Sequence, residues 1–368
     1  MVLKPVTLKP IALNSNLELW ITRMNLTFKR DNGPIDNKID ELLAEVGVHH
    51  PRIIRAMIIS ALMAGSSNDY LADLKIMRTT MDEMRETSNV FSPYRDRRKV
   101  TIFGSARTQP DEPIYQKCVE FARLLAQNNY MVITGGGGGI MEAGNEGAGS
   151  ENSFAVNIRL PFEQSTNKVM DGSERTITYK YFFNRKVAFL KEAHAVVLFP
   201  GGFGTLDEAM ETLTLIQTGK NPPVPLVLID DEEGTYWEDL FQFMRNVLLP
   251  RNLISGEDFG LFTITNSIQE ALEVINNFYR VYHSSRYVGE TLVIRLNKKL
   301  TDEQIAILQE EFSELFNNGG KIHACTAFEQ EYDEPDLWNL PRLALDFNRR
   351  NHGYMMALIR RINSFYGA

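Results

Sequence analysis

An α/β fold, a parallel sheet with helices on both faces, follows from three observations on this 368-residue chain. Between residues 98 and 283, short apolar runs alternate with helix-period segments, the pattern of successive βαβ units. Two of those runs lead straight into glycine-rich turns that open helices. The flanks lack the alternation: residues 1–97 read as a helical N-terminal region, and residues 284–368 as a small α/β C-terminal region.

In the first region, residues 17–30, 35–46, 51–64 and 68–86 carry apolar side chains at helical spacing. Asn32-Gly33-Pro34 and Gly65-Ser66-Ser67 punctuate them. Arg95-Asp96-Arg97-Arg98-Lys99 reads as a solvated linker into the second region. Strands are expected there near 99–103, 130–134, 153–158, 194–199, 224–229 and 261–264. The run Ala195-Val196-Val197-Leu198-Phe199 has the unbroken apolar character of a strand buried on both faces. Pro222-Pro223 closes one helix and launches the next strand. In the third region, 291–295 reads as a strand. Thr301-Asp302-Glu303-Gln304 caps a helix running to about 317, Asn318-Gly319-Gly320 stops it, and 321–328 completes a β-α-β unit. The acidic turn at 333–336 reads as a solvated loop, and 354–366 as a final helix.

Composition narrows the function. Hydrophobic residues make up 43% and charged residues 23%, as in an ordinary globular protein with a sizeable core. A net charge of −8 argues against nucleic acid as the main partner. Two cysteines far apart in sequence, Cys118 and Cys325, and scattered histidines argue against a disulfide framework or a zinc site. No apolar run reaches the length of a membrane span, and Met1 to Asn16 lacks a basic head followed by an apolar core. The expectation is a cytoplasmic protein that needs no metal and no cofactor.

The chemistry-bearing residues cluster at strand-to-helix junctions. Pro200-Gly201-Gly202-Phe203-Gly204-Thr205 follows one strand and opens a helix, which places backbone amides and a positive helix end at the carboxyl edge of the sheet. Such a spot suits a phosphate. Asp207 and Glu208 follow at once, and a carboxylate beside a phosphate needs another purpose. Thr205-x-x-Glu208 has the spacing of a capping box, so capping and catalysis both remain open for Glu208. A second junction, Gly135 to Gly139 before Ile140-Met141-Glu142, has the same grammar, and Gly104-Ser105 after the first strand is a third. All three converge where open α/β sheets bind ligands. No Gly-x-x-x-x-Gly-Lys-Ser/Thr is present, and no acidic ribose ligand ends the strand leading into Arg159. P-loop and hydride-transfer chemistry are therefore disfavoured.

The paired motifs, Pro-Gly-Gly-x-Gly-Thr-x-x-Glu at 200–208 and Gly-Gly-Gly-x-Gly-Ile-Met-Glu at 135–142, with Arg185-Lys186 between them, resemble the LONELY GUY (LOG) family. Members are phosphoribohydrolases, and many were long labelled lysine decarboxylases. The resemblance covers about residues 98–283. It implies a Rossmann-like fold and hydrolysis of nucleoside 5′-monophosphates, AMP-like or cytokinin riboside monophosphates, to free base and ribose 5-phosphate. It implies Arg185, Glu208 and Glu142 as catalytic residues. It implies substrate contacts from Gly104, Ser105, Gly136, Gly137, Gly138, Gly139, Lys186, Gly201, Gly202, Gly204 and Thr205. It also implies a homo-oligomer, a dimer or tetramer. The alternative is a non-catalytic nucleotide or molybdenum-cofactor carrier of the same fold. A decarboxylase would need a pyridoxal phosphate cup and a pyridinium partner, and neither can be identified.

Overall fold

The computed structural model describes residues 32–67, 70–160, 166–317, 319–332 and 334–367; the expected helix at 17–30 lies outside them. The chain divides into two compact units, residues 1–82 and 83–368. Within the first, α1 (Pro34–Val46) and α2 (Pro51–Ser67) precede the start of α3 (Leu71–Phe91). Gly47 ends α1 in the left-handed region, its amide returning to the Leu43 carbonyl. Arg55 ties the two helices together through Asp36 at 2.7 Å and Asp40 at 3.1 Å.

The second unit is built on a seven-stranded sheet. In chain order it contains β1 (Lys99–Phe103), α4 (Pro113–Gln127), β2 (Met131–Thr134), α5 (Ile140–Ala148), β3 (Ser153–Ile158), β4 (Thr176–Tyr179) and α6 (Phe182–Glu192). There follow β5 (Ala195–Leu198), α7 (Phe203–Gln217), β6 (Leu226–Ile229), α8 (Tyr236–Phe243), β7 (Thr263–Thr265) and α9 (Ile268–Phe278). The strand order is β4-β3-β2-β1-β5-β6-β7, every pairing parallel. Parallel strands need helical crossovers, and these cover both faces of the sheet. Alternation along each strand then feeds two cores: Val100 and Ile102 point to one, Met131 and Ile133 to the other.

A second sheet, with order β10-β11-β9-β8, is antiparallel throughout. Its strands are β8 (Tyr282–Val288), β9 (Thr291–Leu296), β10 (Ile322–Cys325) and β11 (Arg342–Leu345), with α10 (Asp302–Glu311) between β9 and β10 and α11 (His352–Ser364) after β11. Among the described residues no helix is long and apolar enough to cross a membrane.

Several expectations are corrected. The strand at β4 was not anticipated: Thr-Ile-Thr-Tyr is short, and its neighbours read as loop and helix. Its Tyr179 is fully buried, and α6 starts only at Phe182. The β-α-β unit of the C-terminal region is split, because β11 inserts antiparallel between β9 and β10. The helix expected to reach 317 stops at Glu311. Beyond it the chain tightens into a short turn at Ser313–Leu315, which lets Phe312, Leu315 and Phe316 all turn inward. The basic run at 95–99 is not a solvated linker. Lys99 is buried in β1 and donates to the Tyr94 and Arg97 carbonyls at 2.6 and 3.0 Å, while Arg98 lies 3.8 Å over the Tyr279 ring. The acidic turn near 334 is also engaged: Glu334 accepts from both Arg295 and Arg286 at 2.6 Å.

Candidate active site

The order of strand addition reverses between β1 and β5, with successive strands added outward on either side. Such a reversal opens a crevice at the carboxyl ends of the strands. A cleft of about 1210 Å³ lies there, lined by Gly104 and Ser105 after β1, Gly135 to Gly137 after β2, and Gly201 to Glu208 after β5. The three junctions found in the sequence therefore meet in one place.

The loops are tied to each other as well as to their strands. The Ser105 amide donates to the Pro200 carbonyl at 3.1 Å, and the Ile140 amide donates to the Ser105 carbonyl at 3.0 Å. That leaves the Ser105 hydroxyl, which accepts from the Arg107 amide, as the group Ser105 can offer a ligand. Under the glycine run, Asn167 donates its amide to the Gly136 carbonyl at 2.8 Å and its side chain to Asn145, which also accepts from Thr134. Gly139 sits at φ +63°, and a Cβ there would fall 2.2 Å from the Ser105 carbonyl oxygen. Gly139→Ala is expected to cost more than about 1 kcal/mol by denaturant unfolding. Gly204→Ala, which faces open space at an ordinary φ, should stay within about 0.5 kcal/mol.

The first intrahelical bond of α7 runs from the Leu206 amide to the Gly202 carbonyl. Gly202 is therefore the N-cap, and the amides of Phe203, Gly204 and Thr205 precede the hydrogen-bonded turn. Thr205 is inside the helix, so the capping box with Glu208 does not form. Helix entry is three residues earlier than the box requires, because the glycines let the chain turn immediately after β5. Glu208 then lies one turn into α7, 7% exposed, with Oε2 lacking any hydrogen-bond partner among the described residues.

Burial raises the Glu208 carboxyl from an ordinary 4.5 to about 7, and the positive charges of Lys186 and Arg185 pull only part of that back. Lys186 Nζ is 3.9 Å from Glu208 Oε2 but is committed elsewhere, at 2.7 Å to Glu211 and 2.9 Å to Asp207. Burial lowers the Lys186 pKa, but those two carboxylates outweigh it and leave it raised, so the ammonium stays charged. Arg185 donates Nε to the Val156 carbonyl at 2.8 Å and stands 5.0 Å from the Phe189 ring. Its guanidinium occupies the space beside Gly135, where a Cβ would come within 2.5 Å of Nη2. The result is a desolvated carboxylate beside a fixed cation, next to a cradle of amides.

Ten of the fourteen residues expected from the sequence line this cleft: Arg185, Glu208, Gly104, Ser105, Gly136, Gly137, Gly201, Gly202, Gly204 and Thr205. Gly138, Gly139, Lys186 and Glu142 do not. Met141 faces the cleft, and the next residue turns about 100° around α5. Glu142 is half-buried there, its charge felt by the Tyr115 phenol. Among the described residues no group of three or more His, Cys, Asp or Glu is placed to hold a metal.

Residues 138–275 match the family model described as possible lysine decarboxylase. A cytokinin riboside 5′-monophosphate phosphoribohydrolase of Arabidopsis thaliana is 24% identical over 44% of this chain and 72% of its own length. A probable enzyme of the same name from Oryza sativa subsp. japonica is 23% identical over 54% of this chain and 92% of its own. Over these residues the chain is similar to LOG-family enzymes. Among solved structures, a molybdenum cofactor binding protein of Rippkaea orientalis aligns at 20% identity over 48% of this chain and 93% of that one, with a TM-score of 0.34.

The fold also brings residues to the cleft that sequence reasoning missed. Asn157, Arg159, Thr178 and Arg107 line it from the ends of β3, β4 and β1. Their position at carboxyl ends of strands was a usable signal for the β1 and β3 residues, once those strands were placed. Tyr236, whose hydroxyl donates to the Gly201 carbonyl at 2.6 Å, comes from α8 and carries no motif. Phe182 also lines the cleft, whereas Tyr181 stacks on Phe183 with centroids 5.3 Å apart.

Proposed function

We propose that this chain hydrolyses the N-glycosidic bond of nucleoside 5′-monophosphates, AMP-like or cytokinin riboside monophosphates, releasing free base and ribose 5-phosphate. The observation that carries this is the orphaned oxygen of Glu208, a buried carboxylate poised near neutral pKa in a cleft otherwise suited to an anion. A pure phosphate binder gains nothing from such a group. Breaking the bond between C1′ and the base nitrogen leaves positive charge on the ribose, which an ionised carboxylate stabilises. Glu208 would also accept a proton from the attacking water as its oxygen bonds to C1′. The amides of 203–205, the Thr205 hydroxyl and the N-terminal end of α7 would hold the 5′-phosphate. Arg185, anchored on Val156, would add a cation to the phosphate or the departing base. Arg107 and Arg159 make the cleft cationic within an acidic chain, which suits a phosphorylated substrate.

The test is chromatographic: free base should appear from AMP and isopentenyl-adenosine monophosphate but not from the matching nucleosides. Equal release from nucleosides, or none from any monophosphate, overturns the reading. Nucleotide or pterin binding without release would favour a carrier. Arg185→Ala should fold and lose about a hundredfold or more in kcat/KM. The pH dependence has a definite sign. Glu208 acts ionised, so kcat/KM should fall as pH drops below about 7, where the free enzyme takes up that proton.

A further inference from the structure

At the opposite edge of the large sheet lies a second cavity, of about 380 Å³, where β6 and β7 begin. It is flanked by α9 and α11. Its floor is apolar: Leu226, Phe278 and Met356 line it and are themselves almost fully buried. Its polar side is one-signed. Arg280 and Arg360 line it, while no acidic side chain among the described residues does, in a chain with 47 acidic and 39 basic residues. Arg280 donates to Asn277, a neutral partner, and Arg360 has no ion pair or hydrogen bond among the described residues. Both arginines border the same cavity. Here the charge is left for something else. The volume lies within the range of small-molecule sites, where an apolar lining with a few placed polar groups is usual.

We propose that this cavity binds a small organic anion, its apolar body against Leu226, Phe278 and Met356 and its phosphate or carboxylate between Arg280 and Arg360. The site is separate from the glycine-loop cleft, and the proposal does not depend on the reaction there. Phenyl phosphate is the probe, with benzyl alcohol as the neutral control, titrated into the full chain by calorimetry. Phenyl phosphate should bind with a dissociation constant on the order of a millimolar or tighter, and benzyl alcohol at least about tenfold more weakly. Arg280→Ala/Arg360→Ala should lose that binding, whereas Arg185→Ala, which alters the other cleft, should keep it. A methyl-labelled sample gives a readout independent of mutant folding: the Met356 methyl resonance, assigned through Met356→Leu, should shift on titration. The proposal fails if phenyl phosphate does not bind at about 10 mM, if the double variant binds as well as the parent, if Arg185→Ala abolishes binding, or if the Met356 methyl does not move.

Discussion

Glu208→Gln is expected to stop base release, by on the order of a thousandfold in kcat or more, while leaving the chain folded. The amide keeps the shape of the side chain but can neither take a proton from water nor stabilise positive charge on the ribose. Since Glu208 caps nothing, the substitution removes no helix-end hydrogen bond. A variant that retains more than about a tenth of parental turnover would end the catalytic role assigned here.

The same substitution should make the protein more stable, over a pH window that can be stated in advance. The carboxyl is held near 7 in the folded chain against an ordinary 4.5 when unfolded. Below pH 4.5 it is neutral in both states and contributes no pH-dependent difference. As pH rises from 4.5 to 7 the unfolded chain ionises first, so folding loses stability, by up to about 3 kcal/mol above pH 7. Glu208→Gln removes that loss. Its melting temperature should exceed the parent's at pH 8 and match it near pH 4. Equal melting temperatures at both pH values would mean that burial does not raise the Glu208 carboxyl. Such a trade, stability given up for a poised group, is what a functional site leaves behind.

Glu331→Ala should have the largest effect on stability. Glu331 is fully buried between Arg295 and Arg342, which are 2% exposed. It accepts from Arg295 at 2.6 and 2.9 Å, from Arg342 at 3.2 Å and from the Phe328 amide at 3.0 Å. Arg342 spends its remaining donors on the carbonyls of Leu337, Trp338 and Leu340. Removing the carboxylate leaves buried Arg342 without a counter-charge and Arg295 with Glu334 alone, so a loss of about 3 to 5 kcal/mol is expected, lowering the melting temperature by roughly 10 °C. Burial works to raise the Glu331 pKa, but the Phe328 amide and the two arginines overcome it and hold the carboxylate below its usual range. Its contribution is therefore complete at neutral pH and declines only as pH falls through that depressed value. A variant within about 1 kcal/mol of the parent would show that the cluster contributes little net stability.

The helix-spaced apolar residues of 35–46 and the unbroken apolar run at 195–199 identified their elements because burial on a known face dictates a period, and a period is visible in one dimension. The glycine junctions were legible for a related reason: a strand that must turn at once into a helix needs residues without side chains, and few other structures tolerate them. What escaped was set by partners distant in sequence. Thr176–Tyr179 is a strand because β3 presents an open edge to it, and Lys99 is buried because the Tyr94 and Arg97 carbonyls turn to meet its ammonium. Tyr236 reaches the cleft only because α8 folds back over Gly201.

Glu208 divides between the two levels. Its place after the glycine turn is written in residues 200–208, but that text left a helix cap and a reacting carboxylate equally open. Packing resolved the first half of the question, since Gly202 rather than Thr205 begins the helix. The pKa belongs wholly to the folded chain: it arises from solvent excluded by three loops and from charges on α6, groups that meet Glu208 only in three dimensions. Local sequence dictates where the backbone turns, because turning is a property of a few adjacent residues. The electrostatic state of a buried group is set by everything around it, and so emerges only when the chain has closed.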